Sequence, residues 1–197
     1  MHKLGRFPQK GIRTYNEIVA LSKKKRNLNK TETKRLLGMN IALNSIVHDF
    51  VAADLRAMYP LSVLDIGCGD GRLLAKLART KGFKGSKMFG IDRSQKAINK
   101  ARKRQGRMKR LINFSTGTNT KIPYPEKFDL IITCLSFHEW KDRRSSIPYI
   151  LSRLNERGSF ILYDTLPINE RVFRSYWDIK PNVQKNKVMV RVVYQLR

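Results

Sequence analysis

The rhythm of apolar residues changes once along the chain. Before about residue 60 they recur at three- and four-residue steps, and after it short apolar runs alternate with such helical stretches. Tyr15, Ile18, Val19 and Leu21 predict a short helix. Asn29 followed by Glu32 makes a capping box that opens a long helix. In it Leu36, Leu43, Ile46, Val47, Phe50, Leu55 and Met58 lay an apolar stripe along one face, and Pro60 ends it. Beyond Pro60 the pattern predicts strands over 62–67, 87–92, 111–117, 128–135 and 159–164, with helices over 73–82, 94–104 and 144–158 between them. Strands alternating with helices imply an α/β fold, a Rossmann-like doubly wound sheet that is mostly parallel. After Asp164, the runs 171–179 and 188–196 predict an antiparallel C-terminal hairpin across 180–187. The organisation expected is a basic helical N-terminal extension, 1–60, and one domain, 61–197.

Charge changes the picture more than composition does. The 197 residues hold 41 Lys and Arg against 15 Asp and Glu, a formal balance of +26. A small soluble domain is comfortable at roughly 2 to 8, so the excess speaks of partners, and a polyanion such as RNA is the first expected. Drift in a lysine-rich lineage is the bland alternative. The run 99–110 has seven basic residues and no acid, and few aromatics near it, which suits phosphate contact rather than base stacking. The two cysteines follow no metal or disulfide spacing, so no metal is expected and a reducing compartment is. The N-terminus lacks the apolar core of a secretory signal, and no run approaches the roughly 18 apolar residues of a membrane span. A cytoplasmic protein without membrane contact is the expectation.

The chemistry concentrates where predicted strands end. VLDIGCGDGRLL, residues 63–74, runs from a buried-strand pattern through Gly67, Gly69 and Gly71 into a helix. Glycine-rich turns of this kind often cradle phosphates. Asp65 and Asp70, beside and within the turn, would repel a pyrophosphate and suit a cationic ligand or one rich in hydroxyl and amine donors. The second strand ends in Asp92, 21 residues past Gly71, where an acid can accept from both hydroxyls of a ribose. The third ends near Gly117, Thr118 and Asn119, and the fourth brings His138 and Glu139 to the same rim.

In these residues the chain resembles the class I S-adenosylmethionine-dependent methyltransferases. VLDIGCGDGRLL matches their D-x-G-x-G-x-G loop, unlike the G-x-G-x-x-G of dinucleotide-binding domains. MFGID with SQKAINKAR looks like their second motif, IPYPEKFDLIITCLSFHEW their fourth, and ILSRLNERGSFILYD their strand-five region. The resemblance covers about half the chain. It implies S-adenosylmethionine as cofactor, with Asp65, Gly67, Gly69, Gly71, Asp92, Arg93, Thr118, Asn119 and Cys134 as candidate cofactor-binding residues. Thr118 departs from the family, where an aspartate often accepts from the adenine amine, and Asn119 is the substitute. Cys68 and Cys134 also read as packing residues, Gly71 as a helix–strand spacer, and His48 as a helix-surface or packing residue on the long helix. No Pro-Cys context supports a covalent cysteine mechanism.

The fourth-strand segment lacks the Asn/Asp-Pro-Pro-aromatic motif of amino-methyltransferases acting on nucleobases. SFHEW is closer to the quinone-biosynthesis ("type 11") branch, which mostly handles small molecules and includes RNA enzymes. His138 is the candidate base, with Glu139 orienting it or binding substrate. The alternative is that His138 caps or packs the next helix. Methyl transfer to RNA is the first reading. A small-molecule O- or N-methyltransferase and a non-catalytic methyltransferase-like RNA-binding protein are the alternatives.

Overall fold

In the computed structural model, residues 4–23, 28–105, 112–167 and 172–196 are described. Helices α1 (Gln9–Lys23) and α2 (Lys30–Leu55) precede β1 (Ser62–Ile66), α3 (Arg72–Leu77), β2 (Lys87–Asp92), α4 (Gln95–Gln105), β3 (Ile112–Thr116) and β4 (Phe128–Cys134). Then come α5 (Arg143–Ser152), β5 (Leu154–Thr165), β6 (Asn182–Lys185) and β7 (Met189–Gln195). The seven strands form one sheet in the order β3-β2-β1-β4-β5-β7-β6. The first five are parallel, while β7 runs antiparallel to β5 and to β6. The expected sheet with its antiparallel C-terminal strands is therefore present.

Successive strand residues face opposite sides, and this alternation builds two apolar layers. Val63, Leu130 and Ile161 pack with Leu43, Val47 and Val51 of α2, Leu73, Leu74 and Leu77 of α3 and Ile98 of α4. Leu64, Ile131 and Leu162 face the other way, onto Ile147, Ile150 and Leu151 of α5. The capping box at Asn29 and Glu32 forms as expected. By length and composition α2 is apolar enough to cross a bilayer, yet its second half belongs to the core layer. Buried Asp54 of α2 accepts from Tyr163 of β5 and from Arg191 of β7.

Several boundaries differ from the expectations. Helix α2 ends at Leu55, before Pro60. Helix α3 stops at Leu77, and the chain tightens into a 3-10 turn at Lys81–Phe83, where a Cβ on Gly82 would lie 2.2 Å from the Arg56 carbonyl oxygen. Helix α5 stops at Ser152 rather than 158, because Leu154 already pairs with Phe128 and a bulge follows. The hairpin uses 182–185, not 171–179, as its first strand. Asn186 accepts from the N–H groups of Val188 and Met189 and so turns the chain there. Among the described residues 172–179, Phe173 instead stacks on Phe137 at 5.4 Å and Tyr176 packs on Tyr194 at 6.2 Å. Residues 106–110 of the basic run and 24–27 of the N-terminal cluster lie outside the described residues.

Candidate active site

Strand order reverses between β1 and β4, and the crevice outside their carboxyl ends is where open α/β sheets bind ligands. The glycine loop leaves β1 here. Gly67, Gly69 and Gly71 all have positive φ, at 78°, 55° and 76°. Their reasons differ. A Cβ on Gly67 would lie 2.3 Å from Ser136 Oγ, and one on Gly71 would lie 2.6 Å from the Phe114 ring. A Cβ on Gly69 would meet nothing within 4 Å. Two glycines thus permit packing, and the middle one keeps space open.

Two carboxylates sit under this loop. Asp92 accepts from the N–H of Gly69 at 2.9 Å and from that of Ser94 at 2.8 Å, so it joins the loop to the start of α4. Asp65 is fully buried, and its Oδ1 has no hydrogen-bond partner among the described residues. Burial, and then the charge of Asp92, push its pKa up to about 8. A buried acid short of a donor fits a cofactor that presents an ammonium, as S-adenosylmethionine does. Asp70 does not join it, because Arg72 and Arg104 hold its side chain at 3.0 and 2.8 Å.

A cleft of about 260 Å³ opens at this end, and its walls include Gly67, Asp92, Arg93, Thr118, Asn119 and Glu139. Arg93 and Glu139 pair at 3.0 Å, from the ends of β2 and β4 on either side of β1. The Asn119 amide donates to Ser146 Oγ in α5, so that nitrogen is already engaged. Thr118 forms a backbone bridge with Lys121 and a hydroxyl contact with Thr120 at 3.3 Å. Cys134 is not brought to the cleft. Its thiol is buried in the core, and burial first, then Asp65 and Asp164, raise its pKa well above the ordinary value. Burial raises the Cys68 thiol as well, so neither sulfur is poised as a nucleophile. His48 is half-buried on α2, where burial and then Lys76 lower its pKa to about 4 and keep it neutral.

After β4 the chain makes a 3-10 turn at Phe137–Glu139. Thr133 and Ser136 donate to the Ile66 carbonyl at 2.9 and 3.0 Å, tying this turn to the end of β1. Phe137 is buried against Trp140 and Phe173, and Arg143 donates to its carbonyl at 3.1 Å. The turn holds His138 with a half-exposed side chain. Its Nδ1 lies 2.9 Å from Oδ1 of Asp164, whose side chain is fully buried, and its backbone N–H donates to Asp164 Oδ2 at 2.8 Å. The hydrogen bond to Asp164 raises the His138 pKa, against an opposing contribution from burial; Glu139 adds to the rise and Arg143 subtracts.

Sequence reasoning missed Asp164, along with Ser136, Lys141 and Asp142 of the cleft wall. Asp164 had a signal: it ends the predicted fifth strand, at the same sheet end as His138.

A family described as "Methyltransferase domain" (Methyltransf_31) matches residues 60–192. The ubiquinone biosynthesis O-methyltransferase of Pseudoalteromonas translucida is 28% identical over 134 residues, covering 63% of this chain and 51% of that protein. Its namesake from Alkalilimnicola ehrlichii is 28% identical over 133 residues, covering 66% and 52%. The chain therefore spans about half the length of the curated relatives it matches. Among solved structures, the plantazolicin methyltransferase BpumL in complex with SAH superposes with a TM-score of 0.69 at 15% identity, covering 96% of this chain and 99% of that one. A SAM-dependent methyltransferase from Aquifex aeolicus gives 0.58 at 19% identity, covering 74% and 89%. With more than half of its length matched to that family and S-adenosylmethionine as its methyl donor, the chain belongs to the class I S-adenosylmethionine-dependent methyltransferases.

Proposed function

We propose that this enzyme methylates a hydroxyl of a small molecule, with His138 as the base that takes the hydroxyl proton. The observation that carries the reading is the half-exposed His138 imidazole at the carboxyl end of β4, on the turn whose next residue, Glu139, walls the cleft. The relatives' names support an oxygen acceptor, since they are O-methyltransferases of ubiquinone biosynthesis. The RNA substrate expected from the charge has no such support, because BpumL, too, is named for plantazolicin.

Bound S-adenosylmethionine supplies an electrophilic methyl group on a sulfonium. Asp92, Gly69 and the loop after β3 would hold it, and Asp65 would meet its ammonium. His138 Nε2 would accept the hydroxyl proton and so free an oxygen lone pair for the methyl group the cofactor would supply. The cofactor would leave as a neutral thioether, so the chain need supply no acid for it. Alignment supplies much of the acceleration, and a positioned base contributes roughly 10²–10⁴-fold.

The test is a pH–rate profile against a panel of phenols and aliphatic alcohols. His138 must be neutral to accept a proton, and its pKa lies above the ordinary 6.5. Turnover should therefore climb with pH through a single ionisation above 6.5 and then level off. His138→Ala should lose roughly 10²–10⁴-fold with cofactor affinity unchanged. Near-normal turnover in that variant removes the base, and methylation of RNA but of nothing on the panel removes the small-molecule reading.

A further inference from the structure

We infer that Asp164 is the positioning residue of the His138 base: its buried carboxylate fixes the ring orientation and tautomer that leave Nε2 free to take the proton. The inference rests on the proposed role of His138 and adds a residue from a different strand.

Three contacts support it. Asp164 meets His138 twice, at the ring Nδ1 and at the backbone N–H, so turn and ring are held by one carboxylate. It also accepts from the backbone N–H of Thr165 at 2.8 Å. It is fully buried, whereas the imidazole it grips is half-exposed. An ionised carboxylate only accepts hydrogen bonds, so the nitrogen facing it carries the hydrogen. In a neutral imidazole the other nitrogen then holds the free lone pair. Here the nitrogen facing the carboxylate is Nδ1, and the free one is Nε2.

Among the described residues, Asp164 is the charged group within hydrogen-bond distance of the ring. Asp164 of β5 faces Nδ1, and Glu139 of the same turn stands 4.0 Å from Nε2. Glu139 is itself paired with Arg93 from the end of β2. Arg143 of α5 donates to the His138 carbonyl and opposes protonation of the ring. Asp164 is thus the contact that both orients the ring and favours its charged form as the proton arrives.

Asp164→Asn separates this role from simple packing. An asparagine keeps the shape and a carbonyl acceptor for the backbone N–H. Its amide can also present N–H to Nδ1, which moves the ring hydrogen onto Nε2 and blocks the base. The variant should bind S-adenosylhomocysteine within about twofold of wild type. Its turnover should fall roughly 10²–10³-fold, with the midpoint of the pH–rate rise moved toward lower pH. Nitrogen-15 NMR of wild type bound to S-adenosylhomocysteine should show His138 as the Nδ1–H tautomer, a readout that needs neither activity nor a folded variant. A wild-type Nε2–H tautomer, or Asp164→Asn turnover within about threefold of wild type at an unmoved midpoint, overturns the inference. The two readings fail separately. An active His138→Ala enzyme removes the base itself, whereas an inactive His138→Ala beside a fully active Asp164→Asn removes only Asp164.

Discussion

The two ends of the sheet both carry a hollow, and the larger is at the end away from the glycine loop. At the amino end a cleft of about 500 Å³ is lined by Lys127, Leu154, Glu156, Trp177, Lys180 and Leu196 among others. The cleft at the carboxyl end measures about 260 Å³. Size does not mark the ligand end, but the treatment of an aspartate does. Asp129, at the amino end, is raised by burial, yet hydrogen bonds from Asn155, Ser62 and Leu61 outweigh that and lower its pKa. Asp65, at the carboxyl end, is raised to about 8 with one oxygen unmet. The fold satisfies the first acid by itself and leaves the second short of a donor, which marks the end built for a ligand.

The difference can be broken most forcefully at the glycines. Gly71→Ala combines positive φ with a Cβ against the Phe114 ring and should lower stability by about 2–5 kcal/mol. Gly69→Ala meets no neighbour and should lower it by only about 1–2 kcal/mol. Its Cβ enters the open space, so its main effect should fall on cofactor affinity. Chemical denaturation beside calorimetric titration of S-adenosylmethionine separates the two variants, and equal stability losses would mean that the space at Gly69 is not reserved.

A smaller effect is expected one strand over. Asp92→Ala should weaken S-adenosylmethionine binding by about 1.5–3 kcal/mol, the range for hydrogen bonds to a charged acceptor. An unchanged dissociation constant would remove Asp92 from the cofactor site.

The smallest belongs to the amino end. Trp177 is 65% exposed beside the larger cleft. Trp177→Ala should leave cofactor affinity and turnover within about twofold of wild type and stability within roughly 0.5 kcal/mol. A tenfold loss of turnover would show that the two ends are coupled and that the contrast between them is too simple.

What the sequence disclosed follows the same division. The β1 loop was legible because its signals are local: a buried run, three alternating glycines and an acid at each strand end. The hairpin was misplaced because alternating valines mark β7 well, whereas its partner was decided by tertiary packing. Phe173 and Tyr176 read as strand residues and instead cover the second apolar layer. Asp164 was visible as a strand end, but its meaning depends on register. Only when Cys134 lies opposite Tyr163 does the next residue of β5 stand beside the turn carrying His138. Charge was legible as a total, and a total does not say which partner it serves.

The buried tie between Asp54, Tyr163 and Arg191 has a consequence for synthesis. Asp54 and Arg191 are separated by 137 residues in sequence, and Leu4 reaches Gln184 across 180. Contacts of such separation close only after most of the chain exists, and they slow folding because loop-closure entropy is lost before they reward it. On the ribosome, α2 emerges early, and its Asp54 must wait for Arg191 until β7 has been translated. That interval is when the nascent chain is open to aggregation or to a chaperone. The last strand therefore acts as a late bolt. Whatever delays Arg191 delays the tie between α2 and β7.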